Sequence, residues 1–129
     1  MNINTHLAID RGLCGTPVTV SEGHSLVRLD MTDAMRADDR GLIHGGFVFG
    51  AADYAAMLAV NHPNVVLGSA ECKFLKPVKA DDTIYAEARV TGAQDKKRTV
   101  SVSVRDNEIE VFQGTFTCFV LPQHVLGHP

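Results

Sequence analysis

One apolar stretch constrains the fold of this chain more than any other feature. From Gly46 to Val60, only Asp53 and Tyr54 bring polar side-chain atoms into the run. A helix that is apolar on all sides is normally buried, so the stretch predicts a helix enclosed by the rest of the chain. The run ends at Asn61-His62-Pro63, where proline cannot continue a helix.

Asp53 is the residue that a buried helix does not explain. A carboxylate that loses its hydrating water costs several kcal/mol unless partners offset the loss. Such an acid is either satisfied by a structural network of neighbours or present for chemistry. The sequence alone leaves both interpretations open.

Gly45 and Gly46 lie where this helix begins. The first turn of a helix has backbone N–H groups without an internal partner, and these amides attract negative charge. Because glycine has no side chain, a ligand carbonyl is able to approach this backbone closely. Asp53 lies about two turns further along the same helix. The stretch therefore predicts an anion-stabilising backbone with an acid on the same element.

Composition sets the outer limits on function. The chain has 129 residues, 45% hydrophobic and 21% charged, which predicts one globular domain over residues 1–129. A net charge of −3 with dispersed Lys and Arg argues against nucleic acid as the principal partner. No apolar run is long enough to span a membrane, and the first residues show no secretory signal.

The cysteines and histidines indicate neither a disulfide framework nor a metal site. Cys14, Cys72 and Cys118 are scattered and form no Cys-x-x-Cys pair, which is typical of reduced thiols in a cytoplasmic protein. A catalytic Cys–His pair stays open, although Cys72 and Cys118 fall in predicted strands, where packing is the expected role. The histidines show no metal spacing, and His124 and His128 belong to a tail that we expect to be loose. We expect no metal and no cofactor.

The rest of the chain reads mainly as strands. Alternating patterns predict a hairpin first and then, after the helix, one strand and a three-strand meander. The expected strands are Thr16–Val20, Ser25–Asp30, Val65–Leu75 (closed by a bend at Pro77), Thr83–Thr91, a strand through Val100, Val102 and Val104, and Ile109–Val120. Asn4–Leu13 is expected to form a helical turn, and Thr32–Gly41 a polar loop. This order favours an α+β fold in which one curved antiparallel sheet wraps the helix.

The sequence of elements resembles a known family. Two strands, an acidic loop, His44-Gly45-Gly46, a buried helix with Asp53, and then strands with Phe74-Leu75-Lys76-Pro77 resemble the hotdog-fold acyl-CoA thioesterases. The likeness is greatest to the phenylacetic-acid-pathway (PaaI-type) subfamily of the 4-hydroxybenzoyl-CoA thioesterase-like superfamily, and it covers Val18 to Val120. It implies hydrolysis of an acyl-CoA to a free acid and CoA.

The resemblance also implies roles for individual residues. A backbone amide at His-Gly-Gly would polarise the thioester carbonyl, with Gly46 preferred over Gly45. The acid nine residues after the histidine, Asp53, would act as general base or nucleophile. His44 would bind substrate or fix the turn, and a purely structural anchor is an equal alternative.

Two further positions follow from the same resemblance. The family often has Asn six residues before the histidine, where this chain has Asp38. A carboxylate close to Asp53 would raise one of the two pKa values, whereas the polar loop favours the alternative that Asp38 points to solvent. Ser69 is the nearest candidate for the hydroxyl that orients water in some members.

The expected partners are acyl-CoA and further copies of this chain. The resemblance implies a site shared by two subunits, and exposed sheet edges also favour a homodimer or homotetramer. Basic residues near strand ends would hold the CoA nucleotide: Lys76, Lys96, Lys97 and Arg98. An apolar or aromatic acyl group would meet Phe47, Phe49, Met57 and Phe74.

Two other functions on the same fold remain as alternatives. Acyl-CoA hydratases and dehydratases carry an Asp-x4-His pattern on the helix, whereas here no histidine follows Asp53 until His62. A non-catalytic acyl-CoA sensor would need an attached DNA-binding segment, for which we expect no room in a chain of 129 residues without a basic helix. Both comparisons favour a thioesterase.

Overall fold

A computed structural model describes residues 1–127 and shows a six-stranded antiparallel sheet curved around one long helix. The helices are α1 (Arg11–Cys14) and α2 (Gly45–Val60), and the strands are β1 (Thr16–Ser21), β2 (His24–Asp30), β3 (Val65–Phe74), β4 (Thr83–Gln94), β5 (Lys97–Asp106) and β6 (Ile109–Val120). The sheet order is β1-β2-β4-β5-β6-β3. This architecture confirms the predicted hotdog fold. The tail prediction for His128 falls outside the described residues.

Helix α2 lies against the concave side of the sheet. It begins after His44, whose backbone is extended, and ends at Asn61, whose φ of 53° is left-handed. Most of the helix is buried, and five of its buried residues are alanines, so short side chains allow the strands to approach closely. The predicted start and end of the helix are therefore confirmed.

The core lies between α2 and the middle strands. Strands β4 and β5 turn every second side chain toward the helix, as the alternating pattern predicts. These residues are at most 1% exposed: Ile84, Ala86, Ala88, Val100, Val102 and Val104. The sheet therefore packs closely against α2 through buried apolar side chains.

The connection after α2 carries the chain to the edge of the sheet. Among residues 1–127, strand β3 pairs with β6 only, and β4 then inserts beside β2. The backbone of β3 is therefore unpaired along one side, which is a template for pairing with another chain. Strand β3 ends at Phe74, ahead of Pro77, so the predicted bend is confirmed.

The prediction of a helical turn over Asn4–Leu13 is wrong in its extent. Only Arg11–Cys14 is helical, because the Asp10 carboxylate accepts hydrogen bonds from the backbone N–H groups of Gly12 and Leu13. Gly15 then ends the turn with a φ of 112°, and a β-carbon there would stand 2.4 Å from Val27. No side chain fits this position.

The first residues are attached to the far end of α2. The Asn61 side chain accepts a hydrogen bond from the Asn4 backbone N–H at 2.8 Å and donates one to the Asn2 carbonyl at 2.7 Å. The His6 ring lies 6.1 Å from the Tyr54 ring. The N-terminal segment therefore covers part of the C-terminal half of α2.

The segment that leads into α2 is mostly a loop, as predicted. It contains one short 3-10 turn, Asp33–Met35, in which Met35 is buried. Among residues 1–127, no helix is both long enough and apolar enough to cross a bilayer.

Candidate active site

The N-terminus of α2 offers free backbone amides. His44 precedes the helix, and its side chain makes no hydrogen bond to the amides of the first turn. The Phe47 N–H bonds back to the His44 carbonyl at 3.1 Å. Within the described part of the chain, the amides of Gly45 and Gly46 have no acceptor. The helix therefore presents two donors at its positive end.

The two glycines are not equivalent in their surroundings. The ring of Phe74 packs against Gly45, where a β-carbon would stand 3.1 Å from Cε2. Gly46 is exposed, and the nearest group to a β-carbon there is the ring of His44. Gly46 is the more exposed of the two, so an incoming carbonyl reaches its amide more freely.

Asp53 lies in α2 with one carboxylate oxygen, Oδ1, buried and without a hydrogen-bond partner among residues 1–127. Burial disfavours the charged form of the acid. It raises the pKa of Asp53 from its ordinary value of 3.8 to about 6. The interpretation of Asp53 as an acid satisfied by a structural network therefore loses support.

Gly46, Gly50 and Asp53 lie on one face of α2, because they follow one another at helical spacings of four and three residues. A β-carbon on Gly50 would meet nothing within 4 Å, so this face is open. Seven residues separate Gly46 from Asp53, which places them roughly 10 Å apart along the helix axis. The two groups of one chain are therefore about two helical turns apart.

The thiols near Asp53 are poor nucleophiles. Burial, and secondarily the charge of Asp53, raises the pKa of Cys118 to about 12. Burial also raises the pKa of Cys14, and the negative charges of Asp10 and then Asp53 raise it further. Because the thiolate is the reactive form, neither cysteine is suited to nucleophilic catalysis. Cys118 is fully buried in β6 and Cys72 half-buried in β3, in agreement with the predicted packing role.

Asp38 organises the loop that leads to the helix. Its Oδ1 accepts hydrogen bonds from the backbone N–H groups of Arg40 at 2.9 Å and Leu42 at 3.1 Å, and the residue is exposed. Burial is the cause of the raised Asp53 pKa, with no contribution from Asp38. The Asp38 carboxylate thus fixes the backbone of the loop that leads to His44.

The other predicted binding residues lie apart from one another. Lys76 lines a groove that also includes Gly45. Ser69 is exposed on the edge strand β3, opposite Thr117. Arg98 lies at the β4–β5 turn, where its guanidinium donates to the Asp95 and Lys97 carbonyls. Only Lys76 is therefore placed beside the start of α2 within one chain.

The groove beside Gly45 was not predicted as a unit. It has a volume of about 340 Å³ and lies between the start of α2 and residues 74–78, with Ile43, Val48 and Val111 also lining it. The sequence signal was present, because Pro77 marks a bend after the strand and the apolar residues Phe74, Leu75 and Val78 lie close to it.

Of the predicted acyl-lining aromatics, only Phe74 lines this groove. Met57 is 1% exposed and belongs to the core, and Phe49 stacks on Phe116 with ring centroids 5.4 Å apart. A helix buried on all sides does not reveal from sequence which of its apolar residues face a ligand. Across residues 1–127, no group of three or more His, Cys, Asp or Glu is placed to hold a metal ion.

Comparison with known proteins decides the family. The model of the thioesterase superfamily matches residues 40–113, from the loop before His44 through the start of β6. The chain belongs to the thioesterase superfamily.

Individual relatives of this thioesterase-superfamily chain differ in their names. It is 54% identical over 122 residues to a methylthioribose-1-phosphate isomerase of Aquifex aeolicus, matching 94% of this chain and 27% of that protein. It is 29% identical over 85 residues to the transcription factor FapR of Caldanaerobacter subterraneus, matching 66% of this chain and 42% of FapR. The chain thus spans between about a quarter and a half of these relatives.

Solved structures of similar chains match the whole superfamily fold. The uncharacterized protein PH1136 from Pyrococcus horikoshii has a TM-score of 0.96 and 48% identity, covering 98% of this chain and 97% of that one. The protein smu.793 from Streptococcus mutans, bound to acetyl CoA, has a TM-score of 0.77 and 26% identity, covering 85% and 90%. The mutant N33D of the phenylacetic acid degradation protein PaaI from Thermus thermophilus has a TM-score of 0.78 and 26% identity, covering 84% and 95%.

The sequence of helix α2 also bears on the alternative that the chain is an acyl-CoA hydratase or dehydratase. The position five residues after Asp53 is Leu58, which is completely buried. Neither a histidine nor access to solvent exists there, so the Asp-x4-His arrangement is absent from α2.

Proposed function

We propose that this chain hydrolyses acyl-CoA thioesters to a free acid and CoA. The observation that carries the proposal is the half-buried Asp53, whose Oδ1 is buried without a partner among residues 1–127 and whose pKa is raised to about 6, on the helix face that begins with a free glycine amide. The bound acetyl CoA of the Streptococcus mutans protein, which shares this fold, supports acyl-CoA as the ligand class.

The reaction needs charge stabilisation at one point and proton transfer at another. Water attacks the thioester carbon, and its proton goes to Asp53 as the C–O bond forms. The carbonyl becomes an oxyanion that the Gly46 amide stabilises, an interaction worth about 3 kcal/mol in known oxyanion holes. The C–S bond then breaks, and the proton passes from Asp53 to the CoA thiolate. Direct attack by Asp53 is the alternative route, and transfer of ¹⁸O from labelled water into its carboxylate distinguishes the two.

The active centre is completed by a second copy of the chain. The Gly46 amide must lie about 3 Å from the carbonyl oxygen and the Asp53 carboxylate about 3 Å from the attacking water, which favours groups closer together than the roughly 10 Å that separates them along one helix. Two antiparallel helices related by a two-fold axis place Gly46 of one chain beside Asp53 of the other. The unpaired backbone of β3 provides a second reason for association. We therefore propose a homodimer or a dimer of dimers.

Mixing two inactive variants tests the shared centre. Gly46→Val and Asp53→Asn chains, each inactive alone, are denatured together and refolded. In a two-chain centre, each heterodimer contains one intact Gly46–Asp53 pair, so about a quarter of the wild-type thiol release returns at equal amounts. Centres within single chains give no recovery. A monomer in sedimentation at micromolar concentration would also contradict the proposal.

A second candidate function is ligand binding without turnover. The similarity to part of the transcription factor FapR favours it, since that protein is named as a regulator rather than an enzyme. A panel of acyl-CoAs separates the two functions. Release of free thiol supports hydrolysis, whereas saturable binding with no thiol release supports a sensing module.

A further inference from the structure

The groove beside α2 shares a wall with the proposed oxyanion site. Gly45 contributes an amide at the helix start and also lines the groove of about 340 Å³. A thioester carbonyl held at these amides therefore has its substituents next to the groove's opening. This inference rests on the proposed function and concerns which part of the substrate occupies the groove.

The floor of the groove is aliphatic and rigid. Ile43, Val48, Val78 and Val111 are each at most 5% exposed, so they belong to the packed core. Such a floor offers no hydrogen bond to a hydroxyl or carboxylate, and burying either without a partner is unfavourable. Lys76 is the charged side chain among the lining residues, and it is exposed.

The outer wall of the groove is apolar and open to water. Phe74 is 55% exposed and Leu75 39% exposed, although both are large apolar side chains. The Phe74 ring is held in place, because it packs edge-on against Phe112 with centroids 5.1 Å apart. An aliphatic chain lying in the groove would cover this wall and remove apolar surface from water.

We propose that this groove is the acyl subsite and that it accepts a straight, unsubstituted aliphatic acyl chain of medium length. A methylene group occupies roughly the same space as a water molecule in the liquid, about 30 Å³. A groove of about 340 Å³ therefore holds about ten carbons. The aliphatic floor selects against hydroxylated and carboxylated acyl groups.

Binding of S-alkyl-CoA thioethers tests the subsite independently of hydrolysis, because a thioether is not cleaved. Calorimetry with chains of increasing length is expected to show affinity rising about fourfold per methylene. The rise should stop at about ten carbons. Affinity that does not depend on chain length overturns the proposal.

Two variants locate the effect in the groove. Val111→Phe fills the floor of the groove, so the rise in affinity is expected to end at a shorter alkyl chain. Leu75→Ala removes exposed wall without disturbing the core, so the affinity gained per methylene is expected to fall. Val18→Phe on the exposed edge strand β1 is the matched control and leaves the profile unchanged. If the control alters the profile equally, or if bare CoA loses as much affinity as decyl-CoA in Val111→Phe, the acyl assignment is wrong.

The same assay separates this inference from the proposed function. A chain-length profile with the expected limit, but without thiol release from the matching acyl-CoA, would contradict hydrolysis and leave the subsite standing. Thiol release whose efficiency is indifferent to chain length and to Leu75→Ala would leave hydrolysis standing and remove the subsite.

Discussion

The imidazole of His44 lies over the α-carbon of Gly46. A β-carbon built on Gly46 would stand 2.9 Å from Nε2 and 3.0 Å from Cδ2 of that ring. Both residues are exposed, and the ring makes no hydrogen bond to the helix amides. His44 therefore borders the free amide of Gly46 without being bonded to it.

Gly46→Ala is expected to lower turnover while the chain stays folded. The added methyl displaces the exposed His44 ring, at little cost in stability, and crowds the position of the carbonyl. We expect thiol release to fall at least about tenfold with a thermal midpoint close to wild type. Gly92→Ala, where a β-carbon meets Thr99 at an ordinary 3.6 Å, is the control. Equal activity in both variants would place the oxyanion donor elsewhere.

The fold was predictable because its signals are local and periodic. The alternation in Thr83–Thr91 indicates which face of the strand is buried. The apolar run of α2 indicates that the helix is buried on all sides. The end of α1 was not predictable, because it depends on the close approach of Val27 to Gly15, two positions that are distant in sequence. Contacts of this kind are absent from any local pattern.

Lys76→Ala is expected to raise the KM for acyl-CoA by about two- to fivefold, with a larger effect at low salt. Its exposed ammonium group lies beside the groove, where its positive charge attracts the anionic CoA ester. Lys73→Ala, an exposed lysine on the same strand edge, serves as the control. Steady-state kinetics at two salt concentrations measure the difference, and a salt-independent KM would remove Lys76 from binding.

Arg98→Ala is expected to act on stability instead. Its guanidinium donates to the carbonyls of Asp95 at 2.7 Å and Lys97 at 3.0 Å, so its donors are committed to the turn. We expect a loss of about 1 kcal/mol in unfolding free energy and an unchanged KM. A KM that rises as much as in Lys76→Ala would instead support the predicted contact with CoA.

Asn61→Gly tests the attachment of the N-terminal segment. Glycine keeps the left-handed backbone at φ 53° but removes the hydrogen bonds to Asn2 and Asn4. We expect faster hydrogen exchange at the Asn4 amide and a loss of about 1 kcal/mol in stability. Unchanged exchange at Asn4 would show that the side chain of Asn61 does not hold this segment.

The candidate site was predictable only in part, for a physical reason. The residue types and their order identify Gly45, Gly46 and Asp53, since glycine amides and a buried acid are visible as exceptions in an apolar run. The groove depends on side chains from α2, β6 and the segment after β3 meeting in space. The engagement of Arg98 with its own turn likewise depends on a rotamer, which a sequence does not specify.

The pH dependence of turnover follows from the raised pKa of Asp53. A general base works when ionised, so thiol release should fall about tenfold per pH unit below about 6 and level off above it. Rates measured between about pH 4.5 and 8 test this expectation. A limb at the same pH that persists in an Asp53→Asn variant would assign the titration to another group.

Asp53→Asn is expected to raise stability at pH 7 and abolish most of the activity. Burial raises the folded-state pKa from 3.8 to about 6, so the folded chain binds this proton more tightly than the unfolded chain does. Wild-type stability therefore falls as the pH rises from 3.8 to about 6. The variant lacks this fall, so above pH 6 its unfolding free energy exceeds that of the wild type by an amount on the order of 1–3 kcal/mol. Loss of the base lowers turnover about 10²–10⁴-fold. Asp39→Asn on the exposed loop is the control, and a variant that melts lower yet releases thiol at the wild-type rate per folded chain would make Asp53 a structural residue.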